Sequence, residues 1–416
     1  MKLKGTFNPP GDKGISHRIA LFSLLAQGDC RVSNYAPGED CASTIAAVKL
    51  LGGDAQFDHR GLVLRGVQGR LRPSGMIGCQ NSGTTMRLLM GIVAGVLGVF
   101  GLDGDESLRR RPMERVAEPL RQMGAKVETT AGKPPVRITG GGLRGITYKL
   151  PVASAQLKSA VMLAGIQAEG ITTVLEPAVS RDHTERLLAQ CQADISHRDG
   201  AWRIKPSRLI LPDSLSVPGD ISSAAFFLCA AAIAPGSEVT AKDVLLNPTR
   251  TRFLEVLKRM GAQVEADLQS ERPEPRGDVH VRHNPGLKAC EIMAQEIPLL
   301  VDEVPILALA ATQARGTTIF RQVGELRVKE SDRLAAVVSQ LGSMGARARI
   351  EGDDLAITGP TVLAAPQELE SFGDHRMAMT LRLAGIVAGG QPQINGEGCV
   401  AVSYPGFHHT LKRLAQ

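Results

Sequence analysis

The chain has 416 residues, enough for two domains with full cores, and its 43% hydrophobic and 22% charged residues exclude a disordered or fibrous protein. The formal charge of +6 at pH 7 is spread out, with Arg109-Arg110-Arg111 the one tight run, and aromatic residues make up only 3%. Stacking platforms for single strands are therefore not expected, no nucleic-acid partner is expected, and a small acidic substrate fits the basic balance better.

Seven cysteines at 30, 41, 79, 191, 229, 290 and 399 are odd in number, far apart and never in a Cys-x-x-Cys pair, which argues against a disulfide framework or a zinc site. No metal and no cofactor is expected. The opening Met1-Lys2-Leu3-Lys4-Gly5 runs straight into Asn8-Pro9-Pro10-Gly11 without the apolar core of a signal peptide. The longest apolar run, Leu88 to Leu102, has 15 residues and is rich in glycine, short of the roughly 20 that span a bilayer. A soluble, cytoplasmic protein with no membrane partner is expected.

In chain order, six segments share one form: a polar or glycine-containing opening, a helix of small and apolar residues, and a closing glycine. They run Gly11 to Gly28, Asn81 to Gly95, Ser154 to Gly170, Gly219 to Gly236, Asp302 to Gly316 and Gly373 to Gly390. The closing glycines are 67, 75, 66, 80 and 74 residues apart, a sixfold internal repeat. A second phrase keeps the same period: Leu50 to Ala55, Leu120 to Ala125, Leu188 to Ala193, Leu257 to Ala262 and Leu341 to Ala346. Most copies place glycine where a helix C-terminus needs a left-handed residue, and strand-like alternation follows. Each unit reads as buried helix, strand, loop, second helix, then one or two strands.

Helices apolar nearly all round must be enclosed, so six of them predict two bundles of three, each skirted by sheet, in two α/β domains. The openings carry Lys13, Asn81, Ser154, Gln156, Asp302 and Arg376. If the helices of a bundle run parallel, their positive dipole ends converge and favour a multiply charged anion.

The stretch Arg327-Val328-Lys329-Glu330-Ser331-Asp332-Arg333 precedes apolar residues at helical spacing, Leu334, Val337, Val338, Leu341 and Met344, with Ser331 as the expected N-cap. Lys329 and Arg333, four apart, are expected to share a face with Glu330 beside them. A cation in a first helical turn is disfavoured by the dipole, so Arg333 points to a bound anion.

Ten motifs together resemble the 5-enolpyruvylshikimate-3-phosphate (EPSP) synthase family over essentially the whole chain. They are Pro10-Gly11-Asp12-Lys13 with Ser16-His17-Arg18, Asn81-Ser82-Gly83-Thr84-Thr85-Met86-Arg87, Arg111-Pro112-Met113, Ser154-Ala155-Gln156-x-Lys158 and Ser180-Arg181-Asp182-His183-Thr184-Glu185. The others are Pro218-Gly219-Asp220, Asn247-Pro248-Thr249-Arg250-Thr251, Asp302-Glu303, the stretch from Arg327 to Arg333, and Asp374-His375-Arg376-Met377-Ala378-Met379. The resemblance implies transfer of the enolpyruvyl group of phosphoenolpyruvate to the 5-hydroxyl of shikimate 3-phosphate, releasing phosphate, through a tetrahedral intermediate. It also implies two similar domains of three βαβαββ-type repeats, an inside-out α/β barrel with buried parallel helices. Residues 1–12 with 218–416 would form one domain and 13–217 the other, with the active site in the cleft between them.

Carried over residue by residue, Lys13, Arg18, Ser154, Gln156, Arg181 and Asp302 would hold shikimate 3-phosphate, with the Gly14 backbone N–H beside it. Lys13, Gly83, Arg111, Gln156, Arg333 and Arg376 would surround phosphoenolpyruvate, with Lys329 near both, and Asn81 and Ala155 would also be substrate-binding. Asp302 looks like the base and Glu330 the acid, shared with Lys13. The residue types make sense independently, because two substrates each bearing a phosphate and a carboxylate need several cations to offset their repulsion.

Three positions depart from the family pattern: Gly14 where serine is usual, Gln80 where glycine is usual, and Val402-Ser403-Tyr404-Pro405, which lacks a lysine some members have. Weaker affinity with the same reaction is expected. Gly83 keeps a small residue beside phosphoenolpyruvate, so glyphosate inhibition is expected, and a monomer. The nearest alternative is the enolpyruvyl transferase acting on UDP-N-acetylglucosamine, but Lys13-Gly14 lacks its Lys-Asn pair and the loop from Asp103 to Met113 lacks its cysteine. The other is an inactive phosphate-sugar binding protein on the same scaffold.

Overall fold

The structure, a computed structural model, describes residues 2–73 and 75–416; Met1, where the reading of the N-terminus begins, and Ser74 lie outside the described residues. Two compact units divide the chain: a continuous one, Gly11–Val217, and a discontinuous one, Met1–Pro10 with Pro218–Gln416. The first crossing falls at Pro10–Gly11 rather than after residue 12. Pro10 accepts a hydrogen bond from the Asp220 amide at 2.7 Å, while the Gly11 Cα lies so close to the Asn34 carbonyl that a Cβ would sit 1.7 Å from its oxygen. Asp12 caps the helix that follows.

Each segment of the sixfold pattern becomes a buried helix: Lys13–Phe22, Gly83–Ala94 and Ala155–Gly165 in the continuous unit, and Ile221–Ile233, Val304–Ala311 and His375–Val387 in the other. Small residues let these helices approach closely, and the Gly91 Cα lies against the Ala160 backbone, where a Cβ would meet the carbonyl oxygen at 2.2 Å. Every residue of Ile221–Ile233 is buried. Each large apolar side chain buried this way contributes about 1.5–3 kcal/mol relative to exposure.

The apolar run from Leu88 to Leu102 is not one element. It is split between the helix Gly83–Ala94 and the strand Gly98–Asp103. Among the described residues, no helix is long and apolar enough to cross a membrane.

Among the described residues, five four-stranded sheets and one two-stranded sheet accompany the helices. In every sheet the short first strand pairs parallel with the strand that follows the buried helix, as Met76–Gly78 does with Gly98–Asp103, and a parallel pair needs such a crossover. Two first strands stand far in sequence from the rest of their sheets, each within its own unit. Lys4–Phe7, ahead of the helix Lys13–Phe22, pairs with Glu238–Leu245 of the discontinuous unit, and Ser214–Ser216 pairs back with Asp29–Ser33 of the continuous one. Phe7 is fixed there by Phe227, ring centroids 5.1 Å apart.

The sixth repeat differs from the expected form. Its last helix, Phe407–Leu414, is followed by an isolated bridge from Ala415 to Leu3 instead of a strand pair.

The left-handed residue expected at the end of each second helix is present even where glycine is not. Gly52, Gly124, Gly261 and Gly345 have φ of 89°, 108°, 93° and 92°, and Gln192 takes the same place at φ 63°. Gln80, the departure noted in the sequence, is also left-handed at φ 49°. A side chain in that region costs roughly 1–2 kcal/mol, partly offset by the smaller chain entropy lost compared with glycine. Gln80→Gly is therefore expected to stabilise the fold by up to about 1 kcal/mol, read as a higher urea midpoint at unchanged m-value. A lower midpoint would show that the Gln80 side chain makes compensating contacts.

Candidate active site

Five of the six buried helices begin with a side-chain cap. Asp12 accepts from the Ile15 amide at 2.8 Å, Ser82 from Thr85 at 3.1 Å, and Ser154 from Leu157 at 3.4 Å. Asp220 accepts from Ser222 at 2.8 Å, and Asp374 from Arg376 at 2.9 Å. Three of these caps are carboxylates of the protein itself. The converging dipole ends thus do not by themselves make the anion site expected from the sequence, because an aspartate already satisfies the amides at those three starts. Attraction for anionic substrates falls to the cationic side chains.

In the continuous unit those cations form two clusters. Lys13 lies at the start of its helix with Nζ 2.9 Å from Asp40 Oδ2. Arg18, one turn further on and buried, donates to the Gly14 carbonyl at 2.9 Å, the Ser159 hydroxyl at 3.0 Å and the Thr184 hydroxyl at 2.7 Å. Gly14 has little room: a Cβ there would lie 3.1 Å from Asp12 Oδ1.

The second cluster centres on Arg111, which is buried and donates to Asn81 Oδ1 at 2.6 Å. Asn81 in turn donates to Asp105 at 2.8 Å. A Cβ on Gly83 would sit 3.2 Å from the Arg87 guanidinium and 3.3 Å from that of Arg111, so glycine here keeps two cations close to the backbone. Gln156 donates to Thr84 at 2.8 Å and accepts from Arg87. Ala155 opens the helix after Ser154, and Arg181 lies on the connection to the helix His183–Gln190.

A buried chain of hydrogen bonds joins the two clusters: His17 Nδ1 to Thr44 at 2.6 Å, Thr44 to Thr85 at 2.6 Å, and Thr85 to Ser82 at 2.7 Å. Burial first, then Lys13 and Arg18, hold the His17 pKa well below the ordinary histidine value, so this imidazole is neutral.

The discontinuous unit gathers the carboxylates around Arg333. That side chain is 1% exposed and donates from Nε to Asp374 at 2.7 Å, from NH1 to Asp302 at 3.1 Å and from NH2 to Glu330 at 2.5 Å. Arg376 Nε lies 3.4 Å from the same Asp302 oxygen. Burial works against the Arg333 charge, but Asp374, Glu330 and Asp302 outweigh it and push its pKa up.

Three expectations are corrected here. The helix is Arg333–Ser343 and its N-cap is Asp332, which accepts from the Ala335 amide at 3.0 Å, while the Ser331 hydroxyl donates to Asp374 instead. Lys329 precedes the helix at the end of a 3₁₀ turn, Gly324–Val328, and shares no helical face with Arg333; its Nζ lies 3.3 Å from Glu325. The Arg333 charge in the first turn is balanced by three carboxylates of the protein, so it does not by itself point to a bound anion.

Burial lowers the Lys329 pKa, with Glu325 and Asp302 opposing, although a quarter of the side chain remains exposed. Val402 closes the 3₁₀ turn Glu397–Val402.

Sequence reasoning did not single out Arg87, Asp40 or Asp374 as site residues. Arg87 had a usable signal, standing one helical turn after Gly83 in the same motif. Asp40 had none, since its partner Lys13 is 27 residues away.

The family model for EPSP synthase (3-phosphoshikimate 1-carboxyvinyltransferase) matches residues 1–411. A Bacillus licheniformis protein named 3-phosphoshikimate 1-carboxyvinyltransferase is 44% identical over 419 residues, covering 100% of this chain and 98% of the relative. One of the same name from Synechococcus sp. (strain JA-3-3Ab) is 47% identical over 422 residues, covering 99% and 94%. The solved structure of EPSP synthase from Acinetobacter baumannii superposes with a TM-score of 0.87 at 40% identity, covering 99% of this chain and 96% of that one. The enolpyruvyl transferase NikO from Streptomyces tendae, at 19% identity and a TM-score of 0.79 over 99% and 95%, shares the fold. The alternative acting on UDP-N-acetylglucosamine is not favoured by these matches. With the motifs in order along both units and the likeness running from end to end, this chain belongs to the EPSP synthase family.

Proposed function

We propose a division of labour among these residues for the family's reaction, the shikimate-pathway transfer of the enolpyruvyl group from phosphoenolpyruvate to the 5-hydroxyl of shikimate 3-phosphate. The carrying observation is that Asp302 and Glu330, the two carboxylates the chemistry needs, both hydrogen bond to the one buried guanidinium of Arg333. Asp302 takes the proton of the attacking hydroxyl as its oxygen bonds to C2 of phosphoenolpyruvate, and Glu330 gives a proton to C3. The resulting tetrahedral adduct then loses a methyl proton back to Glu330 and expels phosphate, restoring the double bond.

Arg376 presents a guanidinium suited to carboxylate and phosphate, Lys329 adds a compact charge, and Arg333, its three nitrogens engaged by Asp374, Asp302 and Glu330, holds the carboxylates in place.

Lys13, Gly14, Arg18, Ser154, Ala155, Gln156 and Arg181 are assigned to shikimate 3-phosphate, and Asn81, Gly83, Arg111 and Gln156 to phosphoenolpyruvate. Both sets lie in the continuous unit. Inhibition by glyphosate, a monomeric state and a cytoplasmic location are part of the same proposal.

A split in kinetic constants tests the assignment. Arg376→Ala is expected to raise KM for phosphoenolpyruvate by about 10-fold or more while the Kd of shikimate 3-phosphate stays within about 2-fold. Arg181→Ala should do the reverse, and equal effects on both substrates in both variants would sink the division.

Glyphosate gives a further test, because Gly83 keeps a small residue beside the position assigned to phosphoenolpyruvate. Millimolar glyphosate is expected to suppress turnover. In Gly83→Ala, the new methyl group at 3.2–3.3 Å from the Arg87 and Arg111 guanidinium groups should weaken both inhibition and phosphoenolpyruvate binding. Unimpaired wild-type turnover in millimolar glyphosate would refute this part.

A further inference from the structure

Lys158, the last residue of the Ser154-Ala155-Gln156-x-Lys158 motif, is 1% exposed, and its Nζ is taken up by the protein. It lies 2.6 Å from Glu185 Oε1, 2.8 Å from Glu176 Oε2 and 3.5 Å from the Ser180 carbonyl. A lysine so enclosed does not reach a substrate. Its three partners are the beginning, middle and end of the segment 176–185, which comprises the connection from the strand Thr172–Leu175 and the first turn of the helix His183–Gln190 and carries Arg181 next to Ser180. The Ser180 hydroxyl also donates to Glu176, so the beginning and middle of the segment are tied to each other as well as to Lys158. The next residue on the helix, Ser159, lies 2.5 Å from Thr184, to which Arg18 donates.

We propose that Lys158 is a positioning residue for shikimate 3-phosphate: by gathering Glu176, Ser180 and Glu185 it fixes the 176–185 segment onto the helix that begins at Ser154, and so sets where Arg181 stands. This rests on the reading of Arg181 as a ligand of that substrate. One buried ammonium serving a buried carboxylate, Glu185, and a largely covered one, Glu176, is a costly arrangement, and an apolar trio of the same volume would commonly be as stable or more so. Packing alone does not call for it. Burial raises the Glu185 pKa, and Lys158 pulls it part of the way back.

The test is the Kd of shikimate 3-phosphate, by calorimetry on the full chain, for wild type, Lys158→Met, Arg181→Ala and the double variant. Lys158→Met is expected to weaken binding about 10-fold, with KM for phosphoenolpyruvate at saturating shikimate 3-phosphate within about 2-fold of wild type. The double variant should bind no more weakly than Arg181→Ala alone, because Lys158 acts through Arg181.

A normal Kd in Lys158→Met beside a weakened Arg181→Ala, or losses that simply add, would overturn the positioning role. A normal Kd in Arg181→Ala would overturn the reading on which it rests. If Lys158→Met does not fold, Glu176→Gln keeps the Lys158–Glu185 pair and frees one end of the loop. It should show a smaller loss with the same lack of additivity, and an unchanged Kd there would overturn the proposal.

Discussion

Glu330→Gln is expected to lower kcat by about 10²- to 10⁴-fold while shikimate 3-phosphate still binds within about 2-fold of the wild-type Kd. The substitution keeps the volume and an oxygen that can accept from Arg333 NH2, now 2.5 Å from the carboxylate, so the local fold should survive. What it removes is the proton for C3. Stopped-flow turnover with both substrates saturating, beside calorimetric binding, separates the two effects. A loss of binding equal to the loss of rate would mean that Glu330 holds the substrate or the fold and does not act as the acid.

The second large effect is expected from Arg333→Met. This change leaves Asp374, Asp302 and Glu330 around an apolar side chain, and taking one partner from a buried charge cluster costs about 3–5 kcal/mol. Three carboxylates without their cation repel one another, which favours protonation of at least one of them in the folded variant. A carboxyl whose folded pKa is raised contributes stability below its unfolded pKa and loses it as pH rises. The variant should therefore be least stable at neutral pH and recover part of the loss below about pH 5, where the unfolded carboxyls also bind protons. Urea unfolding of the two proteins at neutral and acid pH checks both magnitude and sign. A deficit that stays constant with pH would show that the loss is packing and not charge.

The buried helices were legible because a helix enclosed on all sides must be small and apolar all round, and that composition recurs six times. The Arg327 to Arg333 stretch shows where local reading stops. Its position before a helix was visible, but Ser331 and Asp332 are both good caps, and their choice depends on Asp374, which lies 43 residues from Ser331 and takes its hydroxyl. Likewise the charge on Arg333 looked in need of an outside anion, because Asp302 and Asp374 are 31 and 41 residues away and nothing local announces them.

Gln192 shows the converse. The left-handed turn persists without glycine where the Gln192 and Ala193 amides close the helix end onto the Ala189 and Leu188 carbonyls, and the side chain accepts the strain. The sixth repeat ends on a bridge to Leu3, a long-range pairing that periodicity cannot report.

The most direct measurement is phosphate release from phosphoenolpyruvate by the full chain, with and without shikimate 3-phosphate. Release that requires shikimate 3-phosphate, one phosphate for each substrate molecule consumed, is the expected result. Release at the same rate without it would contradict the reaction, and so would no release while shikimate 3-phosphate still raises the thermal midpoint, which would leave a binding protein on an enzyme's scaffold.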